Sequence, residues 1–287
     1  MSYTNNHILE FLEEWAPQST KLDFDNVGLL VGDDHQEVGK VITCLDVTSE
    51  VVDEAISVEA DLIIAHHPLI FKKLSRITPS DITGSLLYRL IQNNISLIAV
   101  HTNLDAAYGG VSFVMAERLG LQNTRFLKVE EAAETAGFGA IGELPETLDV
   151  DEFLELVREK LDSRGIRYSG YSESIRRVAV CGGAGAFLAE EAIRSQADAY
   201  VTADLKYHDF FTESPSSFLL VDAGHYESEV PIVGTLCNKL KNRFPEVEVL
   251  ATKANTNPVV YYSKTTNSIK TARSNLKSYD RRTSKSY

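Results

Sequence analysis

Leu62-Ile63-Ile64-Ala65-His66-His67-Pro68 is an apolar run that ends in two adjacent histidines and a proline. Neighbouring side chains on a strand point to opposite faces, so both rings can reach one point only where the strand has ended. Pro68 supports a strand end because it has no N–H for a further ladder bond and biases His67 toward an extended conformation. Neutral imidazoles at such an edge suit a metal, although one such pair is also typical of a core or turn feature.

Two other apolar runs end in similar polar groups. Leu97-Ile98-Ala99-Val100 leads into His101-Thr102-Asn103-Leu104-Asp105, and Phe218-Leu219-Leu220-Val221 leads into a segment that contains His225 and Glu229. In α/β proteins the carboxyl ends of the strands form one rim, where ligands collect at a switch in strand order. We therefore expect the three polar segments to meet at that rim.

The residue types in these segments favour a metal centre. A helix after Gly224 would place His225 and Glu229 one turn apart on the same face, whereas Glu227 would point elsewhere. Three imidazoles and two carboxylates exceed the needs of one tetrahedral zinc ion with a position open for water, so we expect a carboxylate-bridged pair of metals. The expected ligands are His66, His67, Asp105, His225 and Glu229.

Two further expectations concern the chemistry of this centre. His101 either orients Asp105 or carries a proton during catalysis. Imidazole and carboxylate ligands suit zinc, iron and manganese, so the expected cofactors are two divalent ions of such a metal.

The alternation of strand and helix signals predicts an α/β fold. A strand at Val41–Leu45 is followed by a helix at Glu50–Glu59, which Thr48 or Ser49 can cap, and then by the strand at Leu62–Ala65. This βαβ unit implies parallel strands and a right-handed crossover.

The same unit recurs later in the chain. Seven residues reappear 137 positions further on: Val41, Cys44, Glu54, Ala55, Ile56, Ala60 and Asp61 return as Val178, Cys181, Glu191, Ala192, Ile193, Ala197 and Asp198. Such agreement predicts two related α/β lobes, with the dinuclear metal site in the cleft between them. In the later copy, Ala203-Asp204 stands where the first copy has His66-His67.

We predict the lobe boundaries from composition. Residues 1–128 and 225–262 are expected to form the metal-binding lobe, and residues 129–224 the second lobe, with a hinge at Glu130–Thr135. Residues 263–287 are expected to form a polar tail, since they lack apolar periodicity.

Charge and composition limit the possible partners. A chain of 287 residues with a net charge of −13 is unsuited to general binding of nucleic acids or anionic membranes, although a single nucleotide is not excluded. The amino terminus does not resemble a signal peptide, and no apolar stretch approaches the roughly 20 residues needed to span a bilayer. Three scattered cysteines favour a reducing cytoplasm over a disulfide framework.

Two loops have alternative interpretations. The amides of Gly182–Gly185 could receive a phosphate, but a tight turn between strand and helix explains the glycines equally. In the segment Asp204–Asp209, Lys206 or His208 could touch a substrate, or the segment could be a capped surface helix.

The order of these blocks resembles that of the Nif-three-like dinuclear metal-binding family, whose members are often described as type 2 homologues of GTP cyclohydrolase I. The resemblance rests on six segments: Asp25–Leu29, His66–Phe71, His101–Asp105, Gly182-Gly183, Asp204–His208 and Gly224–Glu229. It implies a two-lobed fold with two divalent metals held by His66, His67, Asp105, His225 and Glu229. It also implies a homo-oligomer, typically a hexamer.

The resemblance implies a hydrolase that acts on a small-molecule substrate such as a nucleotide. Metal-bound hydroxide would attack a nucleotide ring or a phosphoester, and His101 would shuttle the proton. The alternative is a non-catalytic metal-binding protein that acts as a metal chaperone or a regulatory interaction partner.

Overall fold

The computed structural model describes residues 2–130, 133–211 and 217–262. The strands are β1 Tyr3–Thr4, β2 Gly28–Val31, β3 Glu37–Val38, β4 Lys40–Cys44, β5 Leu62–Ala65, β6 Ser96–Ala99, β7 Gln122–Glu130, β8 Ala133–Leu148, β9 Arg167–Tyr171, β10 Ile175–Ala184, β11 Ala199–Ala203, β12 Phe218–Asp222 and β13 Glu248–Ala251. The helices are α1 Asn5–Trp15, α2 Ser49–Ser57, α3 Ile82–Gln92, α4 Thr102–Asp105, α5 Val111–Arg118, α6 Val150–Lys160, α7 Ala189–Arg194, α8 His225–Glu229 and α9 Pro231–Arg243.

The first large sheet contains the predicted βαβ unit. Its five strands have the order β13-β4-β5-β6-β2, in which β2 is antiparallel and the other strands are parallel. The hydroxyl of Thr48 caps α2 by accepting a hydrogen bond from the Val51 N–H at 3.4 Å. β5 is buried along its whole length, as expected for the centre of a sheet with helices on both faces.

Helices cover both faces of this sheet. Side chains alternate along β4, so Val41 packs in a cluster with residues of α1 and α9, while Ile42 packs in a cluster with residues of α2 and α3. Burial on both sides holds the carboxyl ends of β4, β5 and β6 in fixed positions, and the polar segments begin at those ends.

The second large sheet has six strands in the order β7-β8-β10-β11-β12-β9. Its central strands β10, β11 and β12 are parallel, and β7, β8 and β9 are antiparallel to their neighbours. Glu130 pairs with Ala133, so the expected hinge coincides with the connection of the β7–β8 hairpin. Residues 122–128, which were expected to belong to the first lobe, lie in β7, and this strand pairs within the second sheet.

The internal repeat corresponds to matching elements of the two sheets. β4, α2 and β5 carry the first copy, and β10, α7 and β11 carry the second, with parallel strand pairs in both. The chain therefore has a mixed α/β fold, and the compact unit Met1–Thr256 contains both sheets. The expected polar tail at 263–287 lies outside the described residues. No helix in the described ranges is long and apolar enough to cross a membrane.

Candidate metal centre

The adjacent histidines follow the end of β5, and their rings lie close together. The ring centroids of His66 and His67 are 4.9 Å apart. The backbone N–H of His66 donates to the carbonyl of Cys44 at 3.1 Å, and that of His67 donates to the carbonyl of Leu45 at 2.9 Å. These hydrogen bonds tie both residues to the end of β4. The prediction that neighbouring rings reach one point is confirmed.

Glu229 lies at the centre of the site. The helix predicted after Gly224 is confirmed as α8, so Glu229 Oε2 lies 3.0 Å from His225 Nε2, one turn away. The same oxygen lies 3.0 Å from His67 Nε2, and Glu229 Oε1 lies 4.0 Å from His66 Nε2. Asp105 Oδ1 lies 3.6 Å from His66 Nε2. The structure thus brings all five expected ligands together.

Three polar atoms in this cluster are buried without a hydrogen-bond partner among the described residues. They are His66 Nε2, Asp105 Oδ1 and Glu229 Oε2; Asn5 Oδ1, elsewhere in the chain, is the fourth such atom. Burying an unsatisfied polar atom costs about 1–3 kcal/mol, so native proteins keep few of them. Three overlapping groups of side chains each have ligand atoms within 4.8 Å of one another and could hold a metal ion. The groups are His66 with His67 and His101, His67 with His225 and Glu229, and His66 with Asp105 and Glu229.

Each imidazole of the cluster is oriented through its Nδ1 atom. A ring whose Nδ1–H donates outward presents the lone pair of Nε2 to the site, which is the form that binds a metal. The Nδ1 partners are the Val100 carbonyl for His66 at 2.8 Å, Asp46 for His67 at 2.7 Å, Asp204 for His225 at 2.8 Å, and Asp25 for His101 at 2.9 Å. Asp25 and Asp204 lie in segments singled out from the sequence, but none of the three aspartates was predicted to be the partner of a histidine.

Asp25 and His101 form a separate pair beside the five expected ligands. Asp25 also accepts hydrogen bonds from the N–H and the hydroxyl of Thr102. Burial favours the neutral carboxyl, but the hydrogen bonds from His101 and Thr102 outweigh it and lower the pKa of Asp25. The side chain of His101 therefore pairs with Asp25. Its ring nitrogen also lies in one of the groups that could hold a metal, together with His66 and His67.

Burial and nearby carboxylates shift the pKa values of the two adjacent histidines in opposite directions. Burial lowers the pKa of His66 to about 3, so its ring is neutral near pH 7. Burial acts in the same direction on His67, but the hydrogen bond to Asp46 and the negative charge of the adjacent Glu229 outweigh burial and raise the pKa of His67 to about 10. Burial and the charge of Glu229 raise the pKa of Asp105. A cation that binds here must displace protons, so binding releases protons to solvent.

The Gly182-Gly183 turn packs directly against Glu229. The N–H of Gly183 donates to the Ser228 hydroxyl at 3.0 Å, and that of Gly182 donates to the Ser112 hydroxyl at 3.4 Å. A Cβ atom on Gly183 would lie 2.1 Å from Glu229 Oε1. Since both amides already have partners, the structure favours the tight-turn interpretation over a phosphate site, and it explains the glycine by its contact with the carboxylate.

We predict that Gly183→Ala displaces Glu229 and weakens metal binding. Gly183 has a φ of +63°, and Gly120, with a φ of +77° and no atom within 4 Å of its Cβ position, provides a matched control. Gly120→Ala should cost only the backbone strain of a left-handed residue, about 1–2 kcal/mol in the free energy of unfolding. Gly183→Ala should cost more and also lower the metal content. Equal stability losses and unchanged metal content in both variants would contradict the packing argument.

We predict that Asp46→Asn lowers metal affinity by roughly 10–100-fold, because outer partners of metal-bound histidines have effects of this size. An asparagine presents an amide as well as a carbonyl to His67 Nδ1 and loses the charge that supports the correct tautomer. Titration of metal-free protein with Zn²⁺ would measure the change. Asp34→Asn makes the same substitution at an exposed position and should leave the affinity unaltered.

Other polar groups noted in the sequence lie outside this cluster. Lys206 and His208 are exposed and do not belong to the groups that could hold a metal among the described residues. The three cysteines are free and buried. Burial raises the pKa of Cys181 to about 12, which disfavours the thiolate that a cysteine nucleophile requires.

The fold and the site define a mixed α/β protein with an imidazole and carboxylate cluster that could hold a metal ion. The chain belongs to the DUF34/NIF3 family: the family model described as Duf34/NIF3 (NGG1p interacting factor 3) matches residues 3–258. This match confirms the resemblance noted from the sequence motifs.

Individual relatives agree with the family assignment. The chain is 36% identical over 243 residues to the GTP cyclohydrolase 1 type 2 homolog of Clostridium acetobutylicum, covering 84% of this chain and 91% of that protein. It is 34% identical over 255 residues to the homolog of Clostridium perfringens, covering 88% and 97%. The crystal structure of Staphylococcus aureus hypothetical protein SA1388 superposes with a TM-score of 0.83 and 31% identity, covering 90% of this chain and 99% of that one.

Proposed function

We propose that this protein is a metal-dependent hydrolase with a dinuclear centre that acts on a nucleotide ring or a phosphoester. One observation carries the proposal: His66 Nε2, Asp105 Oδ1 and Glu229 Oε2 are buried together and have no hydrogen-bond partner in the part of the chain that the structure describes. Such atoms are costly unless a ligand satisfies them, and nitrogen with carboxylate oxygen is a donor set that transition metals bind. The relatives named GTP cyclohydrolase 1 type 2 homolog support the assignment to hydrolysis.

His66, His67, Asp105, His225 and Glu229 would hold two divalent ions of zinc, iron or manganese. Glu229 suits a shared role, because Oε1 faces His66 and Oε2 faces both His67 and His225. When bound, such a metal pair lowers the pKa of water and stabilises developing negative charge.

His101 would move the proton in this reaction. The hydrogen bond from its Nδ1 to Asp25 fixes the orientation of the ring and leaves Nε2 to exchange a proton with a reacting group. Its ring centroid lies 5.2 Å from that of His66 and 5.4 Å from that of His67. His101 is therefore near the place where the expected ligands meet.

Exposure at the edge of the site favours a second candidate function, a metal chaperone or regulatory metal-binding protein. The side chain of His225 is 35% exposed, and that of His67 is 23% exposed. Partly exposed ligands permit an acceptor protein to approach the ion. This function needs the five ligands but no proton carrier at His101.

Lobe organisation, assembly and location complete the proposal. We propose that the five-stranded and six-stranded sheets are the centres of two related lobes. The first lobe would contain residues 1–121 and 225–262 and the second residues 122–224, so the boundary expected at 128/129 moves to the start of β7. This proposal is supported because residues of the site follow strands of both sheets. His66 follows β5, and Asp204, the hydrogen-bond partner of His225, follows β11. We also propose a homohexamer in the cytoplasm; the three buried free cysteines support a reducing compartment.

Metal analysis and a turnover screen test the proposed function. Protein loaded with zinc, iron or manganese should retain about two ions per chain and hydrolyse a nucleotide or phosphoester. His35→Ala, which removes an exposed imidazole outside the cluster, should change neither result. Retention of calcium or magnesium alone would count against an imidazole-rich centre. Absence of turnover with every metal, together with ready transfer to an apo acceptor, would favour the chaperone.

A further inference from the structure

Two exposed phenylalanines lie beside His101. Phe24 is 62% exposed and Phe71 is 47% exposed, and their ring centroids are 6.0 Å apart with an interplanar angle of 57°. The ring of Phe71 lies 6.4 Å from the ring of His101. Single exposed apolar residues are common on protein surfaces, but a contacting aromatic pair at the edge of a polar site is typical of a ligand-binding surface.

Two backbone segments that are joined to each other position this aromatic pair beside the site. Phe24 precedes Asp25, the carboxylate that accepts the hydrogen bond from His101. The side-chain amide of Asn26 donates to the carbonyl of Ile70 at 2.7 Å, so the segment that carries Phe24 is joined to the segment that carries Phe71. The position of the pair is therefore coupled to the position of the His101 ring.

The segment after Phe71 concentrates positive charge. Lys72, Lys73 and Arg76 are exposed, and within the described part of the chain none of them forms an ion pair with a carboxylate. The chain as a whole has a net charge of −13, so this local excess of cations is distinctive. The connection between β5 and α3 that carries these residues is long for a connection without helix or strand, and such loops commonly bind ligands.

We propose that Phe24 and Phe71 form a platform on which a planar aromatic heterocycle of the substrate stacks beside His101, with the cations after Phe71 attracting an anionic substituent such as a phosphate. The inference rests on the proposed function and adds to it the substrate class and the residues that select it. Aromatic rings stack on heterocycles through their faces, and lysine and arginine pair with phosphate oxygens.

Equilibrium binding tests this platform independently of turnover. Adenosine, guanosine, their 5′-monophosphates and ribose 5-phosphate would be titrated into metal-loaded and metal-free protein by calorimetry. We expect the nucleotides to bind most tightly, the nucleosides more weakly and ribose 5-phosphate weakest. Phe24→Ala and Phe71→Ala should each weaken nucleotide and nucleoside binding by about tenfold, Phe71→Trp should retain binding, and Phe71→Leu should not. Lys72→Ala combined with Lys73→Ala should weaken only the phosphorylated probes.

Matched measurements separate this inference from the metal proposal. Tyr88→Ala removes another exposed ring, on α3, and should leave probe binding unchanged. The phenylalanine variants should retain the metal content and oligomeric state of the unsubstituted protein. Full metal loading with no binding of any heterocycle would overturn the platform and leave the metal centre standing. If the protein takes up no metal but still binds heterocycles in a way that depends on Phe71, the metal centre would be overturned and the platform would stand. A change in oligomeric state without a change in probe affinity would identify the pair as a contact between copies of the chain and overturn the platform.

Discussion

Glu229→Gln is expected to abolish stable occupancy of the metal centre and, with it, turnover. The two carboxylate oxygens of Glu229 face three different imidazoles, so this one residue contributes to both proposed ion positions. A glutamine has one carbonyl oxygen in place of two charged ones and places an amide against His66 or against His67 and His225. The loss of affinity should exceed the roughly 10–100-fold effect of an outer partner such as Asp46. Elemental analysis after dialysis measures the result.

Glu227→Gln is the control for this prediction, because it makes the same change in charge on the same short helix. The two-residue offset directs Glu227 away from the ligand face of α8. The control should keep the metal content of the unsubstituted protein. A Glu229→Gln variant that still retains both ions, or a Glu227→Gln variant that loses them, would refute the assignment of Glu229 as a ligand.

His101→Ala is expected to lower kcat by about 10²–10⁴-fold while the metal content stays the same, since this range is typical for removal of a general acid or base. The reason is that His101 is fixed by Asp25 beside the ligand cluster. Asp25→Asn should reduce kcat in the same direction, because it removes the carboxylate that fixes the orientation of the His101 ring. Both effects would be measured on the substrate found in the turnover screen, with metal content determined on the same samples.

The contrast with His67→Ala distinguishes a proton carrier from a ligand. His67→Ala should lose metal and turnover together, whereas His101→Ala should lose turnover alone. Turnover that persists in His101→Ala would reject the proton-transfer role. Loss of metal in His101→Ala would instead assign His101 to the ligand group that it forms with His66 and His67.

Local sequence was sufficient to predict which residues gather at the site. His66 and Asp105 follow β5 and β6, neighbouring parallel strands whose carboxyl ends lie at one edge of the five-stranded sheet. His225 follows β12, a buried strand of the six-stranded sheet, so the expectation of a single rim holds for only two of the three polar segments. The repeat at an offset of 137 positions also matched real elements, since Cys44 ends β4 and Cys181 lies in β10. These features depend on hydrophobic runs, helix caps and residue chemistry, which can be recognised in the amino-acid sequence alone.

The antiparallel part of the second sheet was not predicted. Glu130–Thr135 is a stretch of low hydrophobicity, and this composition predicts a hinge at a place where the structure has the β7–β8 hairpin. Strand pairing in such a segment is set by partners across the sheet and not by its own composition. The boundary between the sheets therefore differs from the boundary expected from sequence.

The orientation of the imidazoles depended on folding. Asp25, Asp46 and Asp204 are ordinary turn residues in the sequence, and each reaches a histidine ring that lies between 21 and 76 positions away. The need for glycine at position 183 likewise arises because Glu229 of α8, 46 positions further along the chain, closely approaches the backbone of β10. Residue type and strand position are encoded locally and can be read from the chain. Hydrogen-bond partners and close backbone contacts come from distant segments, and they exist only once the sheets have packed.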